Sequence, residues 1–296
     1  MKKLIDVSTH QGVIDWEKAA PHIDGAILRC GYGMDIEEQD DAQFKRNADE
    51  CTRLGIPFGV YLYSYADTVE KAKSEAAHVL RLIRGYQLSY PVYLDLEEIK
   101  TVPGIVERAN AFGDIIEKAG YLCGIYSSTS WWNTHLKGLE RFTKWVAQWH
   151  KECTYKGEKL DMWQYSSSGK IDGIRGRVDM NYCYRDFPAE IGVNALKQFV
   201  RQVQSACGAA VDGIAGPETL SKTVTLSAYQ NRRHPVVAAV QKRLYALGYH
   251  QVGAADGTAG PKFTKAVKAY QERFGGIVDG EITAGQATWQ HLLGMR

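Results

Sequence analysis

Apolar and polar positions change in blocks along roughly the first 185 residues. Short apolar runs, each bounded by turn residues, recur at Leu4–Val7, Gly25–Cys30, Pro57–Tyr63, Pro91–Leu96, Tyr121–Tyr126, Lys144–Gln148, Asp161–Tyr165 and Val178–Tyr182. Runs of this length between turn signals predict eight buried strands. The segments Trp16–His22, Asp41–Leu54, Val69–Arg84 and Ile105–Ala119 read as helices. In the third, Val69, Ala72, Ala76, Val79, Leu80 and Ile83 share one face at helical spacing. Strands alternating with helices predict a parallel sheet with helices outside it, and eight strands predict closure into a barrel. Ser166–Arg177 is short and carries Gly169, Gly173 and Gly176, so no crossover helix fits there. The last strands are expected to pair as hairpins, giving an irregular (β/α) barrel with fewer helices than strands.

From about Ala195 the texture changes to short amphipathic helices. Val236, Val240, Leu244 and Leu247 line one face, and Phe263, Val267, Tyr270 and Phe274 another. A turn-and-helix pattern repeats here, as VDGIAGPETL at 211–220, ADGTAGPKFT at 255–264 and a looser VDGEITAGQATW at 278–289. Each Asp-Gly marks a tight turn, with helices expected to start near Pro217 and Pro261. The expected organisation is an α/β barrel over 1–188, a linker over 189–194 and a small all-α domain over 195–296.

Composition supports this division and narrows the chemistry. A chain of 296 residues exceeds what one compact core needs, and 45% hydrophobic with 24% charged residues is ordinary for a globular protein. The net charge of +2 and the scattered Lys and Arg give no phosphate-binding arm, so no nucleic-acid partner is expected. The six cysteines form no C-x-x-C pair and read as buried free thiols. Eight histidines show no metal spacing, and no dinucleotide fingerprint, P-loop or G-x-S-x-G occurs, so neither metal nor cofactor is expected. The opening MKKLIDVSTHQG has no apolar stretch of signal-peptide length, and no run is long enough to span a bilayer. The expectation is synthesis in a bacterial cytoplasm without a signal peptide, and no membrane partner.

The sharpest candidate chemistry is PVYLDLEE at 91–98. On a strand, residues i and i+2 face the same way, so Asp95 and Glu97 point together, with Cα atoms about 7 Å apart. They fall at the C-terminal end of a parallel barrel strand, where barrel enzymes keep their active sites. Apposed carboxylates push each other's pKa values apart, which suits glycoside hydrolysis. Asp6 interrupts the first strand and Asp179 the last. Strands one and eight are neighbours in a closed barrel, so these two acids are expected at the same mouth. Tyr61, Tyr63 and Tyr65 alternate along the third strand, and Tyr32, Tyr126, Trp145 and Trp163 lie near other strand ends. Aromatic faces and a polar group such as Gln164 suit a sugar groove.

These motifs resemble the lysozymes of glycoside hydrolase family 25. The likeness runs through DVSTHQGVIDW at 6–16, RCGYG at 29–33, GVYLYSYA at 59–66, YLDLE at 93–97, GIYSS at 124–128, WVAQW at 145–149 and WQYSSSGKIDGIRGRVDMN at 163–181. The resemblance implies hydrolysis of the β-1,4 bond from N-acetylmuramic acid to N-acetylglucosamine in peptidoglycan. It implies Glu97 as the catalytic acid, with Asp95, Asp6 and Asp179 completing the acidic site. Tyr32, Tyr61, Tyr126 and Gln164 are the substrate contacts it favours, with Tyr63 and Trp145 added from their placement. Retention of configuration is implied, and the D-x-E spacing favours assistance by the substrate's own N-acetyl group, oriented by Asp95. The segments 236–250 and 255–280 resemble the peptidoglycan-binding domain family. The helix-and-turn FVRQVQSACGAAVDGIAGPETL at 199–220 resembles that family's second half. The module reads either as one enlarged domain or as one and a half copies. A dimer through it is left open. The chain is expected to be a phage or prophage endolysin, acting once the membrane is permeabilised. A bacterial autolysin and an N-acetylglucosaminidase are the alternatives, and a non-catalytic wall lectin is disfavoured by the intact acids.

Overall fold

Eight strands close into one barrel in chain order: β1 (Lys2–Val7), β2 (Gly25–Tyr32), β3 (Phe58–Tyr63), β4 (Val92–Asp95), β5 (Cys123–Ser128), β6 (Thr143–Ala147), β7 (Met162–Gly169) and β8 (Val178–Cys183). Neighbours from β1 to β7 pair in parallel, whereas β8 runs antiparallel to both β7 and β1. The helices beside the barrel are α1 (Trp16–Ala19), α2 (Phe44–Leu54), α3 (Val69–Leu82), α4 (Ile105–Lys118) and α5 (Thr129–Thr134). The expected irregular barrel with fewer helices than strands is the fold observed. The computed structural model describes residues 1–157, 159–274 and 277–296. It divides into two compact units, Met1–Ile191 and Gly192–Arg296.

Strand alternation sorts the barrel residues into two cores. Ile5, Val7, Leu28, Val60, Leu94, Ile125 and Val146 cluster with helix residues such as Phe44, Val79 and Phe112. Leu4, Ile27, Tyr93, Tyr126, Trp145, Met162 and Cys183 form the second cluster and fill the interior. The interior is packed with rings, and glycine makes room for them. A Cβ on Gly124 would collide with the Tyr93 ring and the Thr143 hydroxyl. Without it, Tyr93 lies edge-on to Trp145 with ring centroids 5.1 Å apart. This packed floor leaves the C-terminal strand ends as the open mouth.

All six cysteines are free, and Cys30, Cys51, Cys123 and Cys183 are buried. No helix among the described residues is long and apolar enough to cross a membrane.

Residues 189–194, expected as a linker, contain the boundary between the two compact units and are helical. They lie inside α6 (Phe187–Cys207). Pro188 sits in the first turn, where proline is tolerated, and Gly192 alone costs only about 1 kcal/mol against alanine. Neither residue breaks the helix.

The C-terminal unit continues with α7 (Pro217–Ser221), α8 (Val236–Ala246), α9 (Pro261–Phe274) and α10 (Ala287–Leu292). The helices α7 and α9 start at the prolines expected to start them. A single device recurs three times. Gln204, Gln241 and Gln271 are buried on α6, α8 and α9, each following apolar residues five, four and one positions earlier. Each accepts from the glycine N–H of an Asp-Gly turn (Gly213, Gly257 and Gly280), every time at 2.9 Å. Each donates back to the turn aspartate, Asp212 at 2.7 Å, Asp256 at 2.8 Å and Asp279 at 3.1 Å. All three glycines have positive φ (79°, 73° and 78°), which explains why glycine recurs there. The sequence repeat is therefore three copies of one helix-and-turn lock within one compact unit.

Candidate active site

Asp6 stands near the end of β1, and the β1–β8 register sets it opposite Asp179. Because β8 runs down from the mouth, a residue near its start meets one near the end of β1. Asp95 ends β4, between Tyr63 on β3 and Tyr126 on β5. Glu97 follows two residues later on the same side. The four acids are close enough to act on one another electrostatically. Burial, and then the charge of Asp179, push the Asp6 carboxyl up to about 8, although hydrogen bonds from Asn181 and Gln164 oppose this. Burial, with Glu97 and Asp6, holds Asp95 well above the usual carboxylate range, and Arg29 works against that. Glu97 is solvent-exposed as a residue, yet enough protein surrounds its carboxyl for desolvation to raise it. A hydrogen bond with Tyr126 opposes that shift and Asp179 reinforces it. Desolvation also raises Asp179. The quartet thus retains protons near neutrality that four exposed carboxylates would have lost.

Asp6 is held by a network whose polarity is fixed. The indole N–H of Trp145 donates to Asn181 Oδ1 at 2.8 Å, and that of Trp149 to Gln164 Oε1 at 2.9 Å. An indole can only donate, so each amide must present its oxygen to the ring and its NH₂ to the other side. Those NH₂ groups donate to the same atom, Asp6 Oδ2, from Asn181 at 2.7 Å and Gln164 at 3.1 Å. The Tyr126 hydroxyl lies 3.0 Å from Gln164 Oε1, and its single proton is shared between that oxygen and Glu97. Two tryptophans therefore orient two amides that fix Asp6. By contrast, Asp95 Oδ1 is buried and has no hydrogen-bond partner among the described residues.

The aromatics sort differently from their sequence placement. Tyr61, Tyr63 and Tyr126 all lie within the field of the acids. Tyr32 sits further out, donating to the Glu38 carbonyl at 3.2 Å and meeting Tyr65 edge-on. Trp145, expected to line the groove, is 1% exposed and lies beneath it, with its ring against Tyr61, Tyr93 and Tyr126. The inward face of β6 points into a packed core rather than outward to a groove. Gln164 is likewise buried, and both ends of its amide are taken by protein. Both side chains hydrogen-bond within the network that holds Asp6.

Sequence reading passed over three residues. Asn181 shares a strand face with Asp179, two positions on, and period-two reasoning applied to β8 would have found it. Arg29 is a charge inside an apolar strand. Its Nε donates to the buried Asp41 at 2.7 Å. Trp149 lies past the end of β6, with its N–H bound to Gln164 but 63% of its surface exposed. Nothing in the chain marks an exposed tryptophan in a loop as belonging to a mouth built by other strands. Among the described residues no cluster of His, Cys, Asp and Glu could hold a metal ion.

An irregular barrel with carboxylates gathered at its C-terminal rim is the layout of a glycoside hydrolase. The chain belongs to the glycosyl hydrolases family 25, whose signature its residues 5–174 match. Asp179 lies just beyond that match. Residues 233–292 match a second family, described as a putative peptidoglycan binding domain. The chain is 30% identical over 185 residues to the uncharacterized protein YegX of Escherichia coli K12, covering 60% of this chain and 67% of that one. Among solved structures it resembles the modular autolysin LytC from Streptococcus pneumoniae at 35% identity and a TM-score of 0.54. That likeness covers 61% of this chain and spans only 46% of LytC. The CTP1L endolysin is 25% identical with a TM-score of 0.59, covering 71% of this chain and 80% of that one.

Proposed function

We propose that the protein is a muramidase, cleaving the β-1,4 bond between N-acetylmuramic acid and N-acetylglucosamine in bacterial peptidoglycan. The observation that carries this reading is the coupled acidic quartet at a ring-lined mouth. Glu97 is the proton donor: it is reachable from solvent, and desolvation raises its carboxyl above the usual range, which favours the protonated form. Its proton goes to the glycosidic oxygen as the bond to C1 breaks. The buried, unpartnered Oδ1 of Asp95 suits the N–H of the substrate's acetamido group. That bond turns the acetamido carbonyl toward C1, where it closes a ring onto the carbon. Water then attacks C1 from the vacated side and gives its proton to Glu97, so configuration is retained. The quartet gives up only some of its protons near neutrality, and the negative charge it does carry lies beneath the developing positive charge. Reduction of digested wall with borohydride tests the bond: muramitol ends are expected, and glucosaminitol ends would assign the other glycosidic bond. A glycosyl ester trapped on any carboxylate would overturn the substrate-assisted route.

Trp149 serves as a sugar platform, because its N–H is anchored while its face is open. Trp149→Phe keeps a ring but frees Gln164. KM for soluble glycan is expected to rise about tenfold, with a smaller fall in kcat as the Asp6 support loosens. An unchanged KM removes Trp149 from the groove.

The C-terminal unit holds the enzyme on the wall, a reading supported by its family match. A chain lacking 192–296 is expected to lose co-sedimentation with purified wall while turning over soluble glycan normally. Unchanged sedimentation rules the role out. The biological setting we infer is an endolysin of phage or prophage, supported by the likeness to CTP1L over most of both chains.

A further inference from the structure

A second cavity, of about 840 Å³, lies in the barrel unit at the side of the mouth. It is bounded by the loop after β1, the turn between β7 and β8, and the flank of α2. Both loops leave the C-terminal rim, so the cavity opens on the same face as the acids. His10 joins the two regions. It lines the cavity, and its Nε2 lies 3.4 Å from Arg29 Nη1, the cation that acts on Asp95.

The charges of this cavity do not cancel. Lys18 is taken by Asp15 at 2.9 Å. Arg53 is taken by Glu17 at 3.0 Å and Glu50 at 2.8 Å. Those are the three acids of the lining; Arg175 has no ion pair among the described residues, and Arg46 has none within 4.0 Å although Glu50 acts on it at longer range, so four cations face three acids. Arg46 Nη1 is also enclosed, with no hydrogen-bond acceptor. Arg46 as a residue is only partly buried and lines the cavity, and a planar guanidinium fork matches the two oxygens of a carboxylate.

We propose that this cavity is a subsite for the carboxylate-bearing peptide attached to the muramic acid of the substrate. The proposal rests on the muramidase reading and adds the part of the substrate recognised outside the reacting bond. The mouth itself cannot take these carboxylates, since its own acids repel them. The unpaired cations beside it can, and they place the peptide next to the sugar that carries it. Arg46 and Arg175 are therefore specificity residues, and neither touches the reacting atoms.

The test compares two substrates: uncrosslinked glycan chains bearing their peptides, and the same chains stripped by an amidase. Full-length Arg46→Gln and Arg175→Gln are each expected to raise KM about tenfold on the peptide-bearing chains and to leave the stripped chains unaffected. Arg175 is exposed, so its replacement leaves the fold intact and decides the matter if the Arg46 variant is unstable. Equal effects on both substrates, or none on either, overturn the subsite. Calorimetric titration of the full chain with free stem tetrapeptide gives a readout independent of hydrolysis. Binding weakened in both variants supports the subsite, and absent or unaltered binding overturns it. A wild-type protein that binds tetrapeptide yet cleaves neither glycan would instead count against the muramidase reading alone.

Discussion

Glu97→Gln is expected to abolish clearing of wall suspensions, with kcat lowered at least ~10³-fold and KM little changed. Glu97 lies beyond the end of β4 and is solvent-exposed, so glutamine fits the same space. Its hydrogen bond with Tyr126 can re-form through the amide. What glutamine lacks is a proton it can donate to a leaving alkoxide. The remaining acids cannot substitute. Asp95 is committed to the acetamido N–H rather than to the glycosidic oxygen, and Asp6 is held by two amides on Oδ2. The measurement is turbidity loss together with an unchanged melting temperature. Full clearing by a folded variant would remove Glu97 as the acid and reopen the choice among the four. In the wild type, the raised Glu97 carboxyl also predicts that the alkaline limb of the activity profile lies at higher pH than an unshifted glutamic acid would give.

Asp6→Asn is expected to make the barrel more stable while making it a poorer enzyme. The folded Asp6 titrates at about 8 against an ordinary 3.8, so the fold binds this proton more tightly than the unfolded chain does. Below about pH 4 both states hold the proton, and its contribution to stability is complete. As pH rises from about 4 to 8 the unfolded chain releases it and the fold resists, so stability drains away through that window. Asparagine never ionises and does not suffer the loss. Its oxygen can still accept from Asn181 and Gln164, and its NH₂ turns toward Asp179. The melting temperature of the variant should exceed that of wild type by at least ~3 °C at about pH 9, with little advantage at about pH 4. Activity falls, because the part of the negative charge that Asp6 carries beneath the sugar is lost. An advantage that is constant with pH, or largest in acid, would show that the charge of Asp6 is not what strains the site. The general point is that a site built to hold acids together is a site of stored electrostatic cost, and function is the reason it persists.

The barrel was legible in the sequence because buried strands and amphipathic helices leave periodic marks. All eight strands and the four long helical segments lie where their periodicity puts them, within a few residues at the ends. The acids were legible for the same reason: a charge inside an apolar strand stands out, and closure of eight strands brings the first beside the last. The Gln–Asp–Gly locks were half legible. The turns repeat visibly, but the buried glutamines sit at 8 residues from the aspartate in two copies and 15 in the other, so spacing alone does not link them.

Local pattern therefore determined which elements form and which residues carry charge into them, since both depend on neighbours a few positions away. Only the closed barrel decided which rings face the substrate and which lie under the floor. Trp145 and Trp149 are four residues apart in one motif, yet one is buried beneath the acids and the other stands open at the rim. That difference comes from β6 ending between them, and from the amides of β7 and β8 to which each indole donates. These partners lie 15 and 36 residues away, and no short-range rule joins them.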